Sequence, residues 1–294
     1  MNRKVFLIRN YWDKLKKVLV SAETFRFYWR TYVLSKAENV SPSLYIISYP
    51  KCGRTWLRIM LQKYAELIGH TPRFFNDSAL VEISDGWIAK FEHDVGNWVP
   101  APPKLEDVVF NNEKYRGTKV LFLIRDPRDV LVSSWYHLKY RENIYPKGLA
   151  DFIYEDLVGI GKVIRFFNVF YENRKVPEDF KVMSYEKFHT DALGQLLELL
   201  EFAGFPIDKE KAQQAVEASK FSNMSKMETS GSLKEPWMKP GTKNQANSKK
   251  IRQGKVGGFR EELNQKHIDY LNQQIKENLH PDLIAMMPDS DFEK

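Results

Sequence analysis

Hydrophobic positions along the chain follow two rhythms, short apolar runs and stretches spaced by three and four residues. The run at 44–49 (Leu-Tyr-Ile-Ile-Ser-Tyr) is rich in β-formers, as a buried strand would be. Pro50 cannot continue a central ladder, and Gly53 permits a tight turn. From Thr55 onward Trp56, Ile59, Met60 and Lys63–Tyr64 fall at helical spacing. This helix is expected to run to about Ile68 and stop near Gly69. Strand, basic turn, helix is the geometry that aims backbone N–H groups at a phosphate.

The same alternation recurs downstream. Residues 70–86 read as loop with short elements, and Trp87–Phe91 as a short strand ending at Glu92-His93-Asp94. Lys119–Ile124 is the clearest buried strand; it ends at Arg125, and Asp126-Pro127 supplies an N-cap and a first-turn proline for a helix to about Tyr140. Phe152–Tyr171 is helical in pattern, and Phe180–Ser184 is a further strand ending at Tyr185-Glu186. Helices are expected from about Asp191 to Gly204, over Lys209–Ser219 and over Glu261–Leu279. Residues 222–258, rich in Ser, Gly, Lys, Asn and Pro, read as a long mobile segment or lid. Helices alternating with apolar strands predict an α/β fold, three layers α/β/α around a mostly parallel sheet. Ligands of such folds bind outside the carboxyl ends of the strands, where Lys51, His93, Arg125 and Tyr185 fall.

Composition adjusts this picture in three ways. At 294 residues and 43% hydrophobic, the chain can form one large domain, taken here as residues 37–294. The net charge of +7 resides in residues 1–36, which hold nine basic residues against Asp13 and Glu23. Val5, Ile8, Tyr11–Trp12, Leu15 and Val18–Leu19 make that segment a basic amphipathic helix, suited to docking on the body or to peripheral contact with an anionic membrane. The balance elsewhere argues against a nucleic-acid-binding face. No apolar run reaches the length of a spanning helix. The single cysteine, Cys52, excludes an internal disulfide framework and fits a reducing, cytoplasmic setting.

The basic turn decides among phosphate chemistries. A nucleotide triphosphatase or kinase loop needs Gly-x-x-x-x-Gly-Lys-Ser/Thr. Here Lys51 precedes Gly53, the upstream glycine is missing and Arg54 follows. The topology is P-loop NTPase-like and the motif is not. Tyr49-Pro50-Lys51-Cys52-Gly53-Arg54-Thr55-Trp56 instead resembles the 5′-phosphosulfate loop of the cytosolic sulfotransferase family, usually Tyr-Pro-Lys-Ser-Gly-Thr-Thr-Trp. Arg125-Asp126-Pro127-Arg128-Asp129-Val130-Leu131-Val132-Ser133 is similar to the family's 3′-phosphate segment. Arg252-Gln253-Gly254-Lys255-Val256-Gly257-Gly258-Phe259 resembles its Arg-Lys-Gly-x-x-Gly-Asp-Trp loop. The three stand in family order.

The resemblance implies a donor, 3′-phosphoadenosine 5′-phosphosulfate (PAPS), direct transfer of its sulfuryl group to an acceptor hydroxyl or amine, a product, adenosine 3′,5′-diphosphate (PAP), and no metal. It places Lys51 on the 5′-phosphosulfate, within a loop that includes Cys52 and Arg54. Gly53 and Thr55 follow on the 5′-phosphate, with Trp56 against adenine. Arg125 and Ser133 would hold the 3′-phosphate, joined by Arg252, Gln253 and Gly254, and Tyr185, Ser219 and Phe221 would frame the adenine. Independently, a donor with phosphate at both ends of its ribose needs two anion sites, and the sequence has two basic strand ends. Arginine suits a terminal phosphate because its fork bonds bidentately, whereas lysine acts as a point charge near a leaving oxygen.

Sulfuryl transfer also asks for a base to take the acceptor's proton. Of six histidines only His93 stands at a strand end between the two phosphate motifs, in a setting similar to the family's Lys-Thr-His. Four positions depart from the family. Phe91 stands where a lysine is usual, with Lys90 as a substitute cation. Arg54 replaces a small hydroxyl residue, and Gln253 replaces lysine. Cys52 replaces serine near a helix N-terminus, where a thiol's pKa is expected to fall; a redox-sensitive site there competes with the favoured reading, a small loop-filling residue. Phe74–Phe75, Trp87, Phe91, Trp98, Trp135 and Tyr140 either line an apolar acceptor pocket or belong to the core. A small-molecule or lipid-like acceptor is the working expectation, with carbohydrate and phenolic acceptors open. The competing classes are an NTP-dependent kinase on the related fold and a non-catalytic nucleotide-binding membrane adaptor.

Overall fold

The computed structural model describes residues 42–75, 80–84, 87–98, 104–230 and 254–287. The basic N-terminal segment and the Arg252–Gln253 pair lie outside the described residues, as does most of the expected lid.

Six strands form one sheet: β1 (Leu44–Ile47), β2 (Arg73–Phe75), β3 (Leu80–Ser84), β4 (Trp87–Glu92), β5 (Lys119–Ile124) and β6 (Asp179–Ser184). Their spatial order is β2-β3-β4-β1-β5-β6. β4, β1, β5 and β6 run parallel, with Leu44 opposite both Ala89 and Lys119. β2 and β3 are antiparallel additions at one edge. Every residue of β1 is buried, as is β5 after Lys119, so side chains on both faces of these strands are covered. The helices that cover them include α1 (Arg54–Leu67), α2 (Pro127–Tyr136), α3 (Ile160–Glu172) and α4 (Tyr185–Thr190). α5 (Ala192–Ala203), α6 (Lys209–Ala218), α7 (Phe221–Ser230) and α8 (Gln265–Asn278) follow. This is the expected three-layer α/β/α arrangement.

The core is aromatic where α3 meets the sheet. Phe122 of β5 stacks on Phe170 at 5.5 Å and meets Phe167 edge-on at 5.8 Å. α3 also supports the edge that carries the site. A Cβ on Gly96 would lie 2.9 Å from the Phe166 ring, and Lys162 Nζ donates to the Asn97 carbonyl at 2.7 Å. Lys162 is fully buried, and burial pushes its pKa down to about 8.

The short elements expected within the loop of residues 70–86 are β2 and β3. Asn76-Asp77-Ser78 and Asp85-Gly86 are turn chemistry on either side of Leu80–Ser84. Three other expectations are corrected. The helix expected over Phe152–Tyr171 is interrupted, beginning again only at Ile160. At Gly159 a Cβ would stand 2.5 Å from the Glu155 carbonyl and 2.7 Å from that of Ile153, so the backbone folds back on itself there. The helix after Pro127 is α-helical only to Tyr136 and then widens into a π turn at His137–Arg141. The lid segment is helical where it is described at its start, as α7.

Candidate active site at the carboxyl edge of the sheet

The four parallel strands point the same way, so residues following β1, β4, β5 and β6 share one edge. After β1 the chain turns through Lys51 at φ 74° and Gly53 at φ 95° before entering α1. Left-handed backbone at Gly53 is tolerated without a Cβ, and a Cβ there would stand 2.4 Å from the Tyr185 ring. Gly53 is also the N-cap of α1 and brings no side-chain bond to it, leaving first-turn N–H groups for an anion. Arg54 and Thr55 occupy that first turn, both half-buried.

Arg125, after β5, ties the edge together. It donates to the Lys51 carbonyl at 3.1 Å and to the Lys255 carbonyl at 2.9 Å. Its guanidinium lies over the Tyr185 ring at 4.3 Å and 3.3 Å from Asp129. Asp129 in turn accepts from the Gly257 and Phe259 backbone N–H groups at 2.9 and 3.0 Å, holding the C-terminal loop against α2. Arg128, fully buried, pairs with Asp126 at 2.7 Å, donates to Asn272 Oδ1 at 2.7 Å and covers the Phe259 ring. Gly254 emerges beside Phe221 with φ 63°, too close for a Cβ. Ser133 lies half-buried on the same helix as Asp129.

Aromatic side chains gather beside the loop. Trp56 meets Tyr185 edge-on at 5.8 Å, Phe188 at 6.0 Å and His189 at 5.0 Å. Its other contacts are Ile59 and Met224, next to Phe221. The Trp56 Nε1–H is buried without an acceptor. Ser219 is fully buried and its hydroxyl donates to the Val216 carbonyl at 3.0 Å, finishing α6.

His93 follows β4. Its Nδ1 lies 2.8 Å from the Ser48 carbonyl, which can only accept; Nδ1 therefore carries the proton and Nε2 the lone pair. The Glu92 and Asp94 carboxylates on either side are engaged elsewhere. Lys114 bonds both, at 2.9 Å to Asp94, and Tyr115 donates to Asp94. Lys90 does not substitute for the lysine expected at position 91. It lies on the opposite strand face from Phe91 and pairs with Glu92 at 2.7 Å. Phe91 is buried under the Arg58 guanidinium.

Around Lys51 sequence reasoning missed a cluster. Burial, with Arg141 and then Arg125 adding to it, pushes the Lys51 pKa down to about 7, against smaller opposing effects of Glu228 and Glu142. His137 lies 3.2 Å from Glu142 and packs on Trp98 at 5.3 Å. Burial and the Lys51 charge push its pKa down to about 3. Arg141 pairs with Glu228 of α7 at 3.4 Å. These residues follow the regular part of α2 or lie in the expected lid, and no sequence pattern marks them; only the π turn brings them to Lys51.

Burial decides two readings that the sequence left open. Cys52 is fully buried, and burial raises its pKa well above the ordinary thiol range. The helix N-terminus does not offset the loss of water, so Cys52 is the small loop-filling residue of the two readings. Most of the aromatics offered for an apolar acceptor pocket are core. Trp87 packs on Phe205 at 4.3 Å and donates to the Ala203 carbonyl. Trp135 donates to the Lys147 carbonyl and packs between Tyr136 and Tyr140.

Comparison with known proteins bears on this edge. The model of the sulfotransferase domain family matches residues 41–281. Cytosolic sulfotransferase 1 of Arabidopsis thaliana is 24% identical, over 84% of this chain and 82% of its own. Two solved structures share the fold. Mouse sulfotransferase SULT7A1 complexed with PAP has a TM-score of 0.60 at 17% identity, over 87% of this chain and 90% of that one. Retinol dehydratase in complex with androsterone and PAP has a TM-score of 0.57 at 16% identity, covering 86% of each chain.

Proposed function

The chain belongs to the sulfotransferase family, and from that premise we propose that it moves the sulfuryl group of PAPS to the hydroxyl of a small-molecule acceptor, with His93 as base. The observation that carries this reading is the bond from Arg125 to the Lys51 carbonyl, which sets the basic ends of two neighbouring strands side by side at one edge, as a donor with two phosphates needs. The uncapped start of α1 fits the 5′-phosphate, and Arg125 with Ser133 fits the 3′-phosphate. Trp56, Tyr185 and Phe221 supply the aromatic surface for adenine, with Gly254 on the 3′ side; the roles of Arg252 and Gln253 rest on the sequence motif alone.

His93 Nε2 takes the acceptor's proton as its oxygen bonds to sulfur. The bond from sulfur to the 5′-phosphate oxygen breaks, and its electron pair stays on that oxygen. Lys51 neutralises the charge left there. The Ser48 carbonyl keeps the His93 proton on Nδ1 and so keeps Nε2 competent as the base; general-base catalysis is worth about 10²–10⁴-fold. Kinase chemistry on the related fold is not favoured by the family assignment, since the loop lacks the Gly-Lys-Ser/Thr order. The cytosolic name of the plant relative and the lone, reduced Cys52 support a cytoplasmic setting; among the described residues no helix is long and apolar enough to cross a membrane.

The test is His93→Ala with labelled PAPS and a panel of phenol, sterol and sugar acceptors. Calorimetric binding of PAP should persist while labelled transfer to every accepted substrate disappears. Turnover near the wild-type level would remove His93 from the mechanism.

A further inference from the structure

His93 stands one residue beyond the last rung of its strand, and what holds it there matters if it is the base, the reading on which this inference rests. The β1–β4 ladder ends with Ile47 opposite Glu92 and the Ser48 N–H donating to the Glu92 carbonyl at 3.2 Å. The chain then passes through His93 to Asp94, at φ 45°. Among the described residues three other than glycine take a positive φ, and two of them, Lys51 and Asp94, stand at this edge. A residue with a Cβ seldom adopts that backbone, which persists where its surroundings over-determine it. Here a single helical turn far along the chain, Asn112–Tyr115, does so. Lys114 Nζ bonds Glu92 and, at 2.9 Å, Asp94, so one ammonium spans the residues on either side of His93. The Tyr115 hydroxyl donates to the same Asp94 carboxylate. Both anchors are themselves fixed. Tyr115 is fully buried, edge-on to Tyr45 of β1 at 5.1 Å and to Phe170 of α3 at 5.9 Å. The Lys114 backbone N–H donates to the Asn111 side chain at 3.0 Å, which caps the turn. Burial opposes the Lys114 charge, but Glu92 and Asp94 outweigh it and hold its pKa above the ordinary lysine value.

We propose that Lys114 and Tyr115 are positioning residues for the base: by holding Asp94 in its left-handed turn they keep the His93 Nδ1–H on the Ser48 carbonyl and the Nε2 lone pair set for the acceptor's proton. The Ser48 carbonyl belongs to the end of β1 and His93 to the end of β4, so their 2.8 Å bond depends on the direction the chain takes after Glu92. The far end of the same turn is held separately. The Gly96 N–H donates to the His93 carbonyl at 2.8 Å, and Lys162 holds the Asn97 carbonyl at 2.7 Å. Asp94 is the end next to the base, and its carboxylate is what Lys114 and Tyr115 grip. Glu92 has a second cation in Lys90, so loss of Lys114 falls chiefly on Asp94. A reacting group displaced by about 1 Å can lose about a hundredfold in rate. Lys114 and Tyr115 act through His93 and exchange no proton with the substrate.

Lys114→Met keeps an unbranched side chain and removes its charge. With labelled PAPS and the acceptors that wild type uses, transfer should fall by about tenfold to a hundredfold, while calorimetric PAP affinity stays within about twofold. In protein carrying isotope-labelled histidine, the His93 Nδ1 proton is identified in NMR spectra by its absence from His93→Ala. It should be visible in wild type and lost to exchange in Lys114→Met. A role in folding alone would leave that proton in place in every variant that binds PAP. Unchanged transfer, an unchanged Nδ1 signal, or a loss of PAP affinity matching the loss of transfer would each overturn the inference. If Lys114→Met does not fold, Tyr115→Phe, which takes one hydroxyl from Asp94, decides by the same two measurements. Wild type that transfers to no acceptor, or whose transfer survives His93→Ala, removes the base reading and this inference together. An inactive His93→Ala beside an unaffected Lys114→Met removes this inference alone.

Discussion

The lowered pKa of Lys51 makes donor binding a proton-linked event. With a value of about 7, half of the empty molecules carry a neutral amine there at neutral pH. A bound 5′-phosphate favours the ammonium, so above pH 7 binding must draw a proton from solvent. At pH 8 about one empty molecule in eleven holds the ammonium, and at pH 9 about one in a hundred. PAP affinity should therefore fall by about tenfold per pH unit across this range, until the pKa of the complex is reached. The groups facing Lys51 fix the direction. Burial, Arg141 and Arg125 lower its pKa, and Glu228 and Glu142 only partly oppose them. Folding responds with the opposite sign. The unfolded chain binds the extra proton between about 7 and the ordinary lysine value, so this group's contribution to stability rises with pH there.

The assay is calorimetric titration of PAP from pH 7 to 9 in two buffers of different ionisation heat, which counts protons taken up. Glu186 also titrates in this window, since burial raises its pKa to about 7 and it lies near Arg125. Lys51→Arg separates the two, because arginine keeps its proton throughout. The variant should lose the Lys51 share of the uptake and flatten the affinity profile. Any slope that persists belongs to Glu186. Affinity independent of pH in the wild type, with no proton uptake, would refute the argument from burial and neighbouring cations.

Two further outcomes follow from buried groups at the same edge. Cys52, the single cysteine and fully buried, should react with iodoacetamide in the native protein far more slowly than in denaturant; equal rates would show that the loop opens freely. Arg128→Ala leaves Asp126 buried without its partner and should cost about 3–5 kcal/mol in denaturant unfolding. A loss below 1 kcal/mol would mean that Asp126 finds water or another donor.

The backbone of the site was legible because each strand end carries its own local signature. A continuous apolar run followed by a basic residue and a proline or glycine marks the chain at Lys51 and at Arg125, and the parallel sheet converts both marks into one edge. His93 could be chosen for the same reason. The β2–β3 pair was legible in principle through its turn residues but not through alternation, which three and five residues hardly display. The Arg141, Glu142 and His137 group could not be read at all. Helical spacing through Tyr140 is what the sequence offers, and the wider turn is decided by tertiary packing: His137 sits against Trp98, and Arg141 against a helix nearly ninety residues away. The expected fall of the Cys52 pKa fails for a different reason. Proximity to a helix N-terminus is visible in sequence, whereas the burial that outweighs it is a property of the assembled loop.

The position of β1 explains why the titratable cation, and not the permanent one, carries the leaving oxygen. β1 lies between β4 and β5, so its loop is walled on both sides by the segments that follow those strands, and α7 packs on the helix the loop leads into. An arginine in that place would bring a permanent charge into an enclosure already holding Arg125 and Arg141. Lysine can shed its proton in the empty protein and regain it when the anion arrives. The cost of gathering three cations is thereby deferred until a ligand is present to offset it. It follows that Lys51→Arg should lower the stability of the empty protein relative to wild type while PAP restores much of the difference. A variant equally destabilised with and without PAP would indicate a steric rather than an electrostatic cause.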